Sequence, residues 1–233
     1  MDGITLFNAD ALETIKTFSD KSIDLIVTDP PYKITARGNG GNSGGMFQKK
    51  IVNSGQVFTH NDLDISDWIE ELYRVLKDKS HCYIMCNNKN IYHYLDVINK
   101  SKFHYIKCLV WVKDNKIMGQ TYMSQFEFII MLRKGKHKKI NYCGTSDVLM
   151  YPNDKLKDEN GKTIHDTEKP VDLAVKLIEN SSNEGDTVLD PFMGINSTGI
   201  ACKLLGRKFI GFEINKKYFD VAKQREDEII LAN

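Results

Sequence analysis

The chain has 233 residues, 41% of them hydrophobic and 27% charged, a length that suits one α/β domain able to bury its own core. A formal net charge of +1 excludes a uniformly basic nucleic-acid coat, although a local basic patch remains compatible with it. The five cysteines include no C-x-x-C pair, which argues against zinc or a disulfide framework, and no apolar run suits a signal peptide or membrane helix, so a cytoplasmic protein with no metal and no membrane partner is expected.

Ile4 to Phe7 predicts a short strand, followed by helical spacing at Leu12, Ile15 and Phe18. Ile23 to Val27 is a continuous apolar run, the mark of a strand buried on both faces, and it leads into Asp29-Pro30-Pro31-Tyr32. From Lys33 to Asn61 there is no periodicity, and Gly38, Gly40, Gly41, Gly44, Gly45 and Gly55 predict a long loop of functional or disordered character. Trp68, Ile69, Leu72, Val75 and Leu76 mark a helix, His81 to Cys86 a strand, and Ile91, Leu95 and Ile98 a second helix. Ile106 to Val112 and Phe126 to Leu132 read as strands, and Arg133 to Asp166 as polar and irregular. Pro170 suits the first turn of a helix that turns Leu173, Leu177 and Ile178 inward. Thr187 to Leu189 is then a strand, Ser197 to Leu205 a helix, Phe209 to Phe212 a strand, and Lys216 to Leu231 a closing helix. Strands alternating with helices predict a mostly parallel sheet covered on both faces.

Two strand ends carry chemistry. Asp190-Pro191-Phe192-Met193-Gly194-Ile195-Asn196-Ser197-Thr198 joins a strand to a helix through small residues. Gly194 admits a ligand close to the backbone, Asn196 tolerates left-handed angles, and Ser197 or Thr198 can cap the helix. Glu213 ends the next strand about 20 residues after Gly194, the spacing at which such folds bind a ribose hydroxyl pair. An adenosine-containing cofactor follows, with dinucleotide and S-adenosylmethionine both open on spacing alone. At the other strand end, the two prolines of Asp29-Pro30-Pro31-Tyr32 remove two N–H donors and stiffen the backbone. An acid, a free carbonyl and an aromatic ring then stand together where α/β sheets bind ligands. That trio suits an exocyclic amine, whose two N–H bonds need two acceptors and whose ring needs a stacking partner.

These segments resemble the β-class of DNA amino-methyltransferases, whose catalytic motif precedes the cofactor motif. Asp29 to Tyr32 matches its D-P-P-Y, Asp190 to Thr198 its D-P-F-x-G-S-G-T-T with Ile195 and Asn196 departing from it, and His165-Asp166-Thr167-Glu168-Lys169-Pro170 its H-x-T-x-K-P. Phe209-Ile210-Gly211-Phe212-Glu213 matches its strand ending in an acid, and Trp111-Val112-Lys113 with Glu127 also fits its pattern. The resemblance spans nearly the whole chain. It implies a single Rossmann-like domain with a permuted motif order and a seven-stranded sheet. It implies an enzyme that moves a methyl group from S-adenosylmethionine to N6 of an adenine flipped out of DNA. The alternatives are cytosine N4, RNA, or an inactive nucleic-acid-binding subunit.

The resemblance makes Asp29, Pro30, Pro31 and Tyr32 catalytic. The cofactor set is Asp29 again, with Asp190, Phe192, Gly194, Asn196, Ser197, Thr198 and Glu213, together with Asp10 and Lys169. Asp10 reads equally as the cap of the helix carrying Leu12 and Ile15, and Lys169 as a surface charge. For DNA, the basic run of Arg133, Lys134, Lys136, Lys138 and Lys139 suits phosphate contacts, as do Arg37, Lys49 and Lys50 on the glycine-rich loop. The polar inserts at about 33–62 and 133–168 are therefore the expected DNA-contacting regions. A homodimer and a cognate restriction enzyme are the further partners that the resemblance admits.

Overall fold

The apolar run after Lys21 forms the inner strand β2 (Ile23–Thr28) of an eight-stranded sheet. The computed structural model describes residues 3–31, 63–117, 122–165 and 167–231. The other strands are β1 (Ile4–Phe7), β3 (Leu76–Cys86), β4 (His104–Ile117), β5 (Ser124–Arg133), β6 (Val148–Met150), β7 (Thr187–Asp190) and β8 (Lys208–Phe212). The helices are α1 (Ala11–Ile15), α2 (Ile69–Val75), α3 (Ile91–Lys100), α4 (Val171–Ser181), α5 (Ser197–Leu204) and α6 (Lys216–Leu231), with a 3₁₀ turn at Ile65–Asp67.

The sheet order is β1-β8-β7-β2-β3-β5-β4-β6. All neighbours run parallel except β3 with β5 and β5 with β4. Side chains alternate across β2 and so feed two cores. Ile26 packs with Ile15, Trp68, Leu72 and Ile98 on the face carrying α1 to α3. Leu25 and Val27 pack with Leu173, Leu177, Ala201 and Ala222 on the face carrying α4 to α6. Leu173, Leu177 and Ile178 are buried, as the spacing after Pro170 predicts. No described helix is long and apolar enough to cross a membrane.

The expected strand count of seven is one short. The segment read as irregular after Arg133 contributes β6, which pairs parallel to β4 at the sheet edge through Val110, Trp111 and Val112. Three residues are too few for a period-two pattern to stand out. Leu76 opens β3 rather than closing the helix before it, and Phe18 lies beyond the end of α1.

Candidate active site

The chain leaves β2 for β3 on one side, and leaves β7 for β8 on the other, so the strand order reverses between β2 and β7. Ligands bind α/β sheets at such a point, beyond the strands' C-terminal ends. A cavity of about 690 Å³ opens there, lined among others by Thr28, Asp29, Pro30, Pro31, Asp190 and Glu213. The two strand ends are tied across the switch point, because Thr28 Oγ1 donates to Asp190 Oδ1 over 2.8 Å. Asp190 also accepts from Thr198 Oγ1 at 2.8 Å and from the Phe192 N–H at 3.1 Å. Burial pushes its carboxyl up to about 6 against the pull of those donors.

The loop after β7 folds back over β8. Its Met193 N–H donates to the Phe212 carbonyl at 2.9 Å. Gly194 sits at φ 54, a left-handed angle that favours glycine, with the His165 ring at van der Waals distance from where a Cβ would stand. Asn196 takes φ 73 and ψ 31, the left-handed conformation for which asparagine is suited. The hydroxyls of Ser197 and Thr198 do not cap α5. Thr198 donates to Asp190, and Ser197 Oγ faces Glu168 Oε1 at 3.5 Å. Glu168 is buried and ion-paired to Arg225 at 2.8 Å, and Arg225 also donates to the Ile195 carbonyl at 2.7 Å. Ile195, 2% exposed, is therefore held by its backbone while its side chain lines the cavity.

Asp29 heads a buried chain of alternating charge. The Lys169 ammonium donates to Asp29 Oδ2 and also to the Thr167 carbonyl at 3.1 Å. It lies 3.4 Å from Glu127 Oε2 on β5, near enough for ionic attraction. Glu127 Oε1 accepts from Lys113 Nζ on β4 at 2.5 Å. Side-chain exposures of 18%, 8%, 17% and 6% for Asp29, Lys169, Glu127 and Lys113 put all four out of bulk water, where charges persist only when paired. Asp29 Oδ1 is buried and has no hydrogen-bond partner among the described residues. Burial, opposed by Lys169, raises the Asp29 pKa above the ordinary carboxylate range. For Glu127, burial acts upward but is outweighed by Lys169 and Lys113, which hold it below that range.

Of the residues singled out in the sequence, Asp10, Asp29, Pro30, Pro31, Lys169, Asp190, Phe192, Gly194, Ser197, Thr198 and Glu213 all border the cavity. Asn196 is 1% exposed and does not line it; its part is the backbone turn. Asp10 caps α1, accepting from the Leu12 N–H at 2.8 Å, and borders the cavity as well. Lys169 is buried rather than a surface charge. Glu213 accepts from the Asn215 N–H at 2.6 Å, and burial pushes its carboxyl up to about 7. Tyr32, Arg37, Lys49 and Lys50 lie outside the described residues.

The basic run from Arg133 to Lys139 is not brought to this cavity. Because β5 runs antiparallel to β3, its start approaches the cavity and its end leads away. Arg133 pairs with His81, which is level with Leu25 in the body of β2. The run then reaches Asn141, whose N–H donates to the Asn180 carbonyl near the end of α4. Lys136 and Lys139 are exposed and Lys138 is half-buried on that far edge, and Arg133 folds onto the Gly135 carbonyl. Lys134 corrects the expectation most directly. Only 4% exposed, it donates to the carbonyls of Tyr73, Leu76 and Arg74 at 2.6, 2.7 and 3.2 Å. It therefore satisfies the end of α2, where carbonyls lack helical partners, instead of meeting phosphate.

Sequence reasoning left His165, Tyr218, Asn215 and Leu63 out of the cavity wall. His165 stacks edge-on to Tyr218 with ring centroids 4.4 Å apart, and burial lowers its pKa to about 4, so it is neutral. The pairing of Lys113 with Glu127, and of Glu127 with Lys169, was also missed, although a charge such as Glu127 inside a largely apolar strand is a signal that sequence does carry.

A DNA methylase family model, N6_N4_Mtase, matches residues 23–224. The type II methyltransferase M.HinfI of Haemophilus influenzae is 32% identical over 97% of this chain and 68% of its own length. Among solved structures, the M1.HpyAVI–SAM complex superimposes with a TM-score of 0.69 at 29% identity, covering 95% of this chain and 99% of the other. The cytosine-N4-specific PvuII DNA methyltransferase shares the fold, with a TM-score of 0.75 at 17% identity over 95% of this chain and 86% of its own. With a match extending over most of its length, around a cavity at the switch point, the chain belongs to the DNA methylase family.

Proposed function

We propose that this DNA methyltransferase uses S-adenosylmethionine to methylate N6 of an adenine extruded from the duplex. The observation that carries the reading is the state of Asp29. Lys169 occupies one carboxylate oxygen, and the other is buried with no partner among the described residues. An unpaired buried acceptor costs stability, and an incoming amine N–H relieves it. The Pro30 carbonyl serves as the second acceptor: Pro30 lies past the end of β2 and borders the cavity, and two prolines without N–H donors do not continue the strand. Two acceptors draw the amine nitrogen toward a tetrahedral shape, so that its lone pair turns away from the base ring. Tyr32 is the stacking partner of that ring.

The residues present fit the donor. Glu213 accepts the ribose hydroxyls, Asp10 borders the adenine end, and Gly194 leaves the backbone of the loop open. When bound, S-adenosylmethionine supplies an electrophilic methyl group on a sulfonium. The chain's contribution is then position and fixed charge rather than a strong base. The proton shed by the amine is taken by Asp29 Oδ1 or by water. Aspartate at the head of the D-P-P-Y motif inclines the reading toward adenine. A cytosolic site of action, a homodimer and a cognate restriction enzyme belong to the same proposal. Sizing in solution and resistance of the methylated DNA to cleavage test the last two.

The substrate assignment is tested by incubating the protein with methyl-labelled donor and mixed DNA, then hydrolysing and separating the nucleosides. Label in N6-methyl-2′-deoxyadenosine is expected. Label in N4-methylcytosine, or only in RNA, overturns it.

A further inference from the structure

Two members of the buried charge chain lie on strands away from the cofactor loop and touch neither Asp29 nor the loop. Lys113 belongs to β4 and Glu127 to β5, and their side chains pair directly over 2.5 Å with the ammonium 4.8 Å above the Trp111 ring. Trp111 is itself fixed, 1% exposed, its indole N–H donating to the Tyr151 carbonyl at 2.9 Å. An isolated ion pair in such a place is not a stability device, since desolvation offsets the attraction. Its geometry points elsewhere. Glu127 presents its second oxygen, Oε2, to Lys169, and among the buried oxygens it is one that lacks a hydrogen bond.

We propose that Lys113 and Glu127 are positioning residues for methyl transfer: Lys113 fixes Glu127, Glu127 holds the Lys169 ammonium, and Lys169 occupies Asp29 Oδ2 so that Oδ1 faces the substrate amine. The proposal rests on the reading of Asp29 as the amine acceptor. Without Glu127, the Lys169 ammonium loses an anion that holds it from the β5 side. The charge state of Asp29 is governed by the same set. Lys169 precedes α4, Glu127 and Lys113 come from β5 and β4, Asp190 ends β7, and the Cys86 thiol ends β3 and is kept neutral by burial. Burial acts upward on Asp29, Lys169 and Lys113 act downward, and Glu127 acts upward. Neutralising Glu127 and neutralising Lys113 therefore move Asp29 in opposite directions.

The test follows the Asp29 carboxyl by ¹³C NMR titration of the protein without donor, with the resonance assigned through Asp29→Asn. Glu127→Gln is expected to lower the Asp29 midpoint, Lys113→Met to raise it, and Lys113→Arg to restore the parent value. In parallel, Glu127→Gln is expected to lower kcat by about tenfold or more with the KM for the donor little changed, as small misplacements of a reacting group do. If Glu127→Gln fails to fold, the Lys113→Met and Lys113→Arg pair carries the same test. Midpoints that stay put, or that move the same way in the Gln and Met variants, overturn the proposal. Parent activity in Asp29→Ala overturns instead the reading beneath it, so the two failures are distinguishable.

Discussion

Replacing Asn196 by glycine should make this enzyme more stable, an unusual expectation for a buried residue beside an active site. Asn196 holds φ 73, a left-handed angle that costs an L residue roughly 1 kcal/mol, somewhat less for asparagine. Its Oδ1 is buried without a partner among the described residues, and an unsatisfied acceptor costs roughly 1–3 kcal/mol. That oxygen is wedged against Gly199, 2.0 Å from where a Cβ on Gly199 would stand, so removing the side chain opens a small gap that offsets part of the gain. Glycine's added freedom in the unfolded chain subtracts roughly 0.5–1 kcal/mol. The net is a gain of about 1 kcal/mol, which in a domain of this size is a rise of about 2–4 °C in Tm. Asn196→Ala removes the orphan oxygen but keeps the strained backbone, so it should fall below glycine. Differential scanning calorimetry on the protein without donor, at one concentration and pH, ranks the three. A glycine variant less stable than the parent, or an alanine variant above glycine, would refute this reasoning.

Two further outcomes follow from the site and its surroundings. Burial pushes Glu213 up to about 7, and ribose hydroxyls are best accepted by the ionised form. Donor affinity measured by calorimetry should therefore climb between about pH 6 and pH 8 and level off above that range, since protonation below the shifted pKa opposes binding. Glu213→Gln should flatten the profile, and a parent whose affinity ignores pH contradicts the assignment. Lys134→Met removes the ammonium that donates to the carbonyls of Tyr73 and Leu76, and to that of Arg74 beside the Lys21 N–H, and should cost about 1–3 kcal/mol in urea unfolding. The salt dependence of its DNA binding should match the parent's, while a slope reduced by about one would put this ammonium on phosphate after all.

The parts of this molecule legible in its sequence are those governed by local periodicity and backbone chemistry. The run Ile23 to Val27 could only be a doubly buried strand, and Gly194 with Asn196 announced a turn with left-handed angles, which the backbone adopts. The alternation of elements was enough to announce a mostly parallel sheet, though not the order of its strands. What stayed hidden depends on strand direction and on partners far apart in the chain. Arg133 to Lys139 reads as a basic patch in sequence, yet the reversal of β5 carries it to the far edge, and Lys134 finds helix carbonyls about 60 positions away. Asp10 was ambiguous between cap and ligand contact because one residue serves as a cap and also borders the cavity. The pairing of Lys169 with Asp29 joins residues 140 apart, and no local pattern encodes a contact at that distance. Lys113 and Glu127 did leave a trace, as charges within apolar strands, but their partners emerge only when β4 and β5 are laid side by side.

The central claim is that Asp29 orients the substrate amine and does not hold the donor in place. Single-turnover methyl transfer from labelled S-adenosylmethionine to DNA, measured beside calorimetric donor binding, separates these roles in one variant, Asp29→Ala. The account predicts a transfer rate lower by about 10²–10³-fold or more with a donor Kd within about threefold of the parent. Transfer at the parent rate, or a loss explained wholly by failure to bind the donor, contradicts it.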